Sequence, residues 1–175
     1  MKRKAALISI LLMLSFTLTA KVTYQPSLSF TLGPVFTYKT DDMLRSSFKG
    51  RLDLDPLALN IDAHTISFPI SFAYVTKTPF YNNYCLNSHI DFTAGLAYRY
   101  DFNDSFTLKA QMDVILRYVQ EVQGGIMGMD FIAEPGFYLG SHVIIGIPLT
   151  LGISKQEFNF SPAISITALP WGGRK

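Results

Sequence analysis

The sequence predicts an all-β fold: a closed, antiparallel, up-and-down eight-stranded transmembrane β-barrel. Three observations carry this. Apolar residues recur with a period of two over nearly the whole chain. The alternating runs are about 11–14 residues long, against roughly 5–6 for a soluble strand and about 9–11 for a tilted strand crossing a bilayer. Short and long connections also alternate, as they do when turns lie on one side of a membrane and loops on the other. The chain has 175 residues, 49% hydrophobic and 16% charged, which is too apolar for disorder and allows one domain.

The first element stands outside the barrel. Met1-Lys2-Arg3-Lys4 is a basic start, 5–18 is an uncharged apolar run, and Thr19-Ala20 is a small-residue end. This is the pattern of a secretory signal over residues 1–20, and the run is short for a membrane-spanning helix. The remaining 21–175 form the single barrel domain. Three of the 15 basic residues belong to the signal and no acidic residue does, so 12 basic face 13 acidic residues in the rest. That balance gives no clustered basic footprint, and nucleic acid is excluded as a partner.

The strands follow in order. Over 27–38, Leu28, Phe30, Leu32, Pro34, Phe36 and Tyr38 alternate with small or polar residues. A weaker strand covers roughly 48–61, its alternation slipping near Asp55-Pro56 as at a bulge. The third runs 65–74 with Ile66, Phe68, Ile70, Phe72 and Tyr74 on one face. The fourth carries Ile90, Phe92, Ala94, Leu96, Tyr98 and Tyr100. The fifth carries Phe106, Leu108, Ala110, Met112, Val114, Leu116 and Tyr118, and the sixth Phe131, Ala133, Pro135, Phe137 and Leu139. Val143, Ile145, Ile147, Leu149, Leu151 and Ile153 mark the seventh, and Phe158, Phe160, Pro162, Ile164, Ile166 and Ala168 the eighth. Tight turns fall near Asp62–His64, Asp101–Asp104 and Gly140-Ser141. Longer connections fall at 39–47, 77–87 and 119–128, and a shorter one at 154–157. Gly124-Gly125-Ile126-Met127-Gly128 lacks the Lys-Ser/Thr of a phosphate loop and reads as a mobile outer loop.

Tyr38, Tyr74 and Tyr118 end the upward strands, and Tyr98, Tyr100 and Phe137 the downward ones, all on the apolar face. Amphipathic rings at both ends form two interfacial girdles. The two faces differ in a way that decides which meets lipid. One is continuous, bulky and nearly uncharged. The other mixes Gly, Ser, Thr and Ala with charge, which suits the narrow interior of an eight-stranded barrel. A soluble barrel would put the apolar set inside instead. The inward set holds Lys49, Arg51, Arg99, Lys109 and Arg117 against Asp53, Asp55, Asp91, Asp113, Asp130 and Glu134. Buried charges are tolerable only when paired and hydrogen-bonded, so Arg51, Asp91, Arg99, Lys109, Asp113, Arg117, Asp130 and Glu134 are expected to form an interior network.

On these features, and on segments such as Ser27-Leu28-Ser29-Phe30-Thr31-Leu32 and Asp91-Phe92-Thr93-Ala94-Gly95-Leu96-Ala97-Tyr98, the chain resembles the small eight-stranded outer-membrane proteins of the OmpA-membrane-domain, OmpX and OmpW type. The resemblance covers about residues 24–171 and is architectural. It implies a cell-envelope protein of the outer membrane, in contact with outer-membrane lipid, and its OmpW side implies a narrow, porin-like conduit for small apolar molecules. Two features depart from it. Such barrels usually end on an aromatic residue, whereas Gly172-Gly173-Arg174-Lys175 follow Trp171 here. Prolines at 34, 69, 135, 148 and 162 fall inside strands, where each removes a ladder hydrogen bond, so bulges or weak seams are expected.

Chemistry is sparse. His64 and His142 fall at the turn end and His89 near the opposite rim, so no single catalytic or metal site can use all three. Nothing in the spacing forces a nucleophile, base and orienter together. No zinc or calcium spacing appears, and no cofactor is implied. The single cysteine, Cys85, cannot form an intramolecular disulfide. Phe80, Tyr81 and Tyr84 lie within seven loop positions and are candidate contacts for an extracellular ligand. The reading is a non-enzymatic structural or surface-exposed protein that binds through its outer loops. The alternatives are the narrow conduit and, less favoured, a lipid A-modifying barrel enzyme. Oligomeric state is not legible.

Overall fold

The computed structural model describes residues 22–39, 43–78, 86–119, 124–155 and 157–170. Thirteen strand segments build eight staves. The first stave is β1 (Val22–Tyr24) and β2 (Ser27–Lys39). The second is β3 (Leu44–Asp55) and β4 (Ala58–Ile61), and the third is β5 (His64–Ser67) and β6 (Ile70–Val75). The fourth, fifth and sixth are β7 (His89–Asp101), β8 (Phe106–Val119) and β9 (Gly124–Leu139). The seventh is β10 (Val143–Gly146) and β11 (Leu149–Ser154), and the eighth is β12 (Glu157–Pro162) and β13 (Ile164–Ala168). Every pairing is antiparallel between chain neighbours. The last stave pairs with the first through Phe160↔Phe36 and Ile166↔Phe30. The sheet therefore closes, which removes the exposed edges of an open sheet.

Register fixes the shape. A row of paired residues runs from Ile66 through Tyr98, Ala110, Ala133, Leu149, Pro162, Pro34 and Phe48 and returns to the third stave at Thr76. That is ten residues above its start. A shear of this size on eight strands tilts them by about 35–45° and leaves an interior that side chains fill.

The alternation read from the sequence is the alternation of exposure. Ile144 is 4% exposed and its neighbour Ile145 36%. Outward positions from Leu28 to Ile166 form an apolar belt, with exposed large apolar side chains on every stave. The six girdle aromatics lie on that belt at its two ends. On the turn side, His64, Tyr100, Phe102, Phe106 and Phe137 make a continuous row with ring centroids 4.8–5.4 Å apart.

The expected slip near Asp55-Pro56 is present. Register changes by one between Ser27↔Asp55 and Tyr24↔Leu59. Pro56 and Leu57 both face out before Ala58 turns in again, and the Tyr24 hydroxyl donates to the Pro56 carbonyl. The prolines cost rungs rather than register. Pro69, Pro148 and Pro162 each sit where a stave divides into two segments, yet the same register holds on both sides in the sixth, seventh and eighth staves. Their carbonyls still serve the ladder: Gly95 N–H donates to Pro69 O at 3.0 Å, Ala163 N–H to Pro148 O at 3.0 Å and Ile147 N–H to Pro135 O at 2.9 Å. At the closing seam two prolines coincide. Pro34 stands opposite Pro162, and regular pairing lapses over 33–35 and 161–163.

Two expectations about loops are corrected. Leu44 to Ser47 belongs to β3, not to the connection before it. Gly124 to Gly128, expected as a mobile loop, opens β9 and pairs with Val119 to Ile115. Glycine has little strand propensity of its own. The partner strand β8 supplies the ladder that the local sequence does not announce.

Candidate functional site

The lumen is where the chemistry-bearing side chains converge, because each inward position of every stave points at the same axis. At mid-height Arg51 from β3 is the hub. Its Nη2 lies 2.6 Å from Asp53 Oδ1 and 2.6 Å from Asp113 Oδ2, and its Nε donates to Asp53 at 2.8 Å. Ser71 donates to Asp53 at 2.6 Å, and Gln111 Nε2 donates to both oxygens of Asp113 at 2.9 Å. Lys49 Nζ approaches Asp130 at 3.4 Å. Two glycines make this layer possible. A Cβ on Gly95 would overlap Asp113, and one on Gly152 would overlap Asp130, so the carboxylates occupy space that any other residue would fill.

Toward the loop side, Arg117 donates through Nε to Asp91 at 2.8 Å and through Nη1 to Glu157 at 2.6 Å, while Lys39 reaches Glu157 at 2.7 Å. His89 is buried beside them. Its Nδ1 is 2.8 Å from the Asn87 carbonyl, which can only accept, so Nδ1 carries the proton and Nε2 faces Asp91 across 3.8 Å. Toward the turn side, Arg99 donates to Gln25 at 2.5 Å and Thr65 at 3.1 Å, and lies 3.5 Å from Asp101. Lys109 lies 3.8 Å from Asp55, and Glu134 accepts from Ser165.

The eight network residues named from the sequence are thus distributed over three layers rather than gathered in one site. Glu157, Lys39, Gln111 and Gln25 join them. Glu157 escaped notice because 154–157 reads as a loop, whereas β12 begins on it. The polar amides carry no charge signal and could be found only through inward parity. Phe80, Tyr81, Tyr84 and Cys85 lie outside the described residues.

Two small cavities lie in the lumen among the described residues. A cavity of about 30 Å³ lies below the Arg51 layer, and one of about 10 Å³ lies above it. Those volumes match roughly two waters and one water. Leu86 packs against Val35 and Val75 toward the loop side of the lumen, and Leu169 is fully buried near the turn side. No cluster of three metal-ligating side chains occurs among the described residues. The histidines do not assemble a nucleophile. His64 Nδ1 contacts the Tyr98 hydroxyl at 2.7 Å, His142 contacts the Leu169 carbonyl at 3.0 Å, and His89 contacts Asn87.

No family model matches the chain, and no curated protein matches it in sequence. Solved structures do. The crystal structure of Neisserial surface protein A matches with a TM-score of 0.60 at 9% identity, over 85% of this chain and 99% of that one. Ail, the attachment invasion locus protein of Yersinia pestis, matches with a TM-score of 0.55 at 8% identity, over 83% and 97%. Ail in complex with the heparin analogue sucrose octasulfate matches at 0.51 and 8%, over 83% and 99%. These are small eight-stranded outer-membrane barrels, and the likeness establishes that fold for this chain.

Proposed function

We propose that this chain is an outer-membrane barrel, exported under the signal at 1–20, that acts without catalysis by presenting its outer loops at the cell surface. The observation that carries this reading is the pairing of an unbroken apolar belt outside with an ion-paired lumen inside. The belt suits the wall to hydrocarbon, where every backbone group must be satisfied by a closed ladder. The Arg51–Asp113 layer occupies the axis where a conduit would run. Loops are then the surface left for recognition, and Phe80, Tyr81 and Tyr84 are the residues we assign to it. The likeness to a surface protein and to an attachment protein solved with a sulfated ligand supports a binding role.

The test has two arms. On intact cells, a membrane-impermeant amine reagent should label Lys77 or Lys155, and the protein should fractionate with the outer membrane. Labelling only after permeabilisation would overturn the surface reading. In planar bilayers the purified barrel should show no large steady ion conductance, because side chains fill so narrow a cylinder. A stable open pore would favour the conduit instead.

A further inference from the structure

The belt is not uniformly convex. On the fourth to eighth staves it carries a groove of about 570 Å³, lined by Leu96, Tyr98, Ala110, Met112, Phe131 and Ala133, with Leu149, Leu151 and Phe160 at its far end. Its floor is the directly paired Ala110 and Ala133. Gln111 and Ile132, whose side chains point into the lumen, also border it, so at the floor the sheet's main chain is laid bare. Tyr98, Ala110, Ala133 and Leu149 share one register row, and Leu96, Met112, Phe131, Leu151 and Phe160 share the next. With tilted strands such a row climbs obliquely. The groove therefore starts at the turn-side girdle, where Tyr98 lies three residues from the end of β7, and rises toward the middle of the belt.

We propose that this groove is a binding site for one diacyl phospholipid of the periplasmic leaflet. The inference rests on the membrane orientation proposed above. Three features select this occupant. The groove is continuous with the lipid-facing belt, and no charged side chain lines it. Its lining is apolar apart from the Tyr98 hydroxyl at the lower mouth and the edge of Gln111, which suits an acyl chain rather than a headgroup. Its lower mouth carries a polar handle, since Tyr98 is hydrogen-bonded to exposed His64 at 2.7 Å. If the hydroxyl donates to Nδ1, the imidazole Nε2–H is left open. If Nδ1–H donates to the hydroxyl oxygen, the phenolic O–H is left open. Either arrangement offers one donor to an ester or phosphate oxygen at headgroup level. Within hydrocarbon the gain comes from packing against a bare floor rather than from expulsion of water.

The probe is dipalmitoylphosphatidylethanolamine, titrated onto the full barrel in mild detergent and counted by native mass spectrometry. One phospholipid should be retained per barrel. Ala110→Phe fills the floor and should lower occupancy at least fivefold. His64→Ala with Tyr98→Phe should lower it two- to fivefold. Leu32→Phe, which adds bulk on the opposite wall, should leave it unchanged. Each variant is first shown to be folded by its heat-shifted migration in SDS, and Ala133→Leu replaces Ala110→Phe if that variant fails. Equal retention by folded wild type and filled variant overturns the site. So does a groove-dependent dimer of the chain, or groove-dependent retention of lipopolysaccharide from outer-membrane extracts. Failure of the impermeant reagent to label Lys77 or Lys155 of the wild type on intact cells overturns the orientation instead, and is read separately.

Discussion

At the scale of single residues, inward parity was legible from the sequence but partnership was not. Arg51 and Asp113 lie 62 positions apart. They meet because the barrel's curvature and shear bring their staves' inward faces to one point, which no local pattern states. Parity alone placed both inside, and the need for pairing followed from the cost of a lone buried charge. The pair yields a stability prediction. Asp113→Ala should leave Arg51 with Asp53 at 2.6 Å and Asp130 at 4.0 Å and cost about 3 kcal/mol, the order seen when a buried pair loses one member. Replacing the whole cluster, as Arg51→Met with Asp53→Leu and Asp113→Leu, leaves neither of the two carboxylates orphaned and should recover much of that loss. Urea unfolding of the barrel from lipid vesicles measures each, and a triple variant no better than the single would contradict the pairing argument. Gly95→Ala should destabilise by roughly 1–3 kcal/mol, the usual cost of forcing extra volume into a packed interior, because its Cβ would displace the same carboxylate.

At the scale of elements, the long strands were legible because their alternation is strong, while their ends were not. β9 starts with Gly-Gly, and β12 starts on a residue that reads as loop; in both cases a neighbouring stave decides the boundary. The seventh stave gives the cleanest check. In a Cys85→Ser background, labelled single cysteines at 143, 145, 147, 149 and 151 should be reached by a lipid-confined quencher. Those at 144, 146, 148, 150 and 152 should not, since successive side chains take opposite faces. The pattern should continue unchanged past Pro148, because the register does. A break in the pattern there would show a bulge that the pairing excludes. The second stave offers a contrasting test. Deleting Leu57 removes one of two consecutive outward residues, so the inward set beyond it keeps its face, and the heat-shifted band should persist. Deleting Leu52 has no such slack. It would turn one half of the stave inside out, and the shifted band should be lost.

At the scale of the whole molecule, closure follows from an even count of alternating strands, but the position of the weakest line along the wall could not be foreseen. Five of the nine prolines fall inside strands, at positions unrelated along the sequence. Only the register reveals that Pro34 and Pro162 face each other across the join between first and last staves. That join also spans the largest sequence separations in the fold, such as Thr37 with Asn159, 122 residues apart, and Ser29 with Thr167, 138 apart. Contacts so distant along the chain are slow to form, and here the zipper that must shut last lacks rungs in its middle. The barrel should therefore pass quickly to an inserted, nearly cylindrical form and wait there, its final seam ajar. Pro162→Thr restores one donor and should speed the last phase of refolding into vesicles several-fold while leaving earlier phases alone. Time-resolved pairing of a donor and acceptor dye across the seam would register it. For a protein of this build, the last backbone groups to find partners lie along a single line of the wall, between its first and last staves.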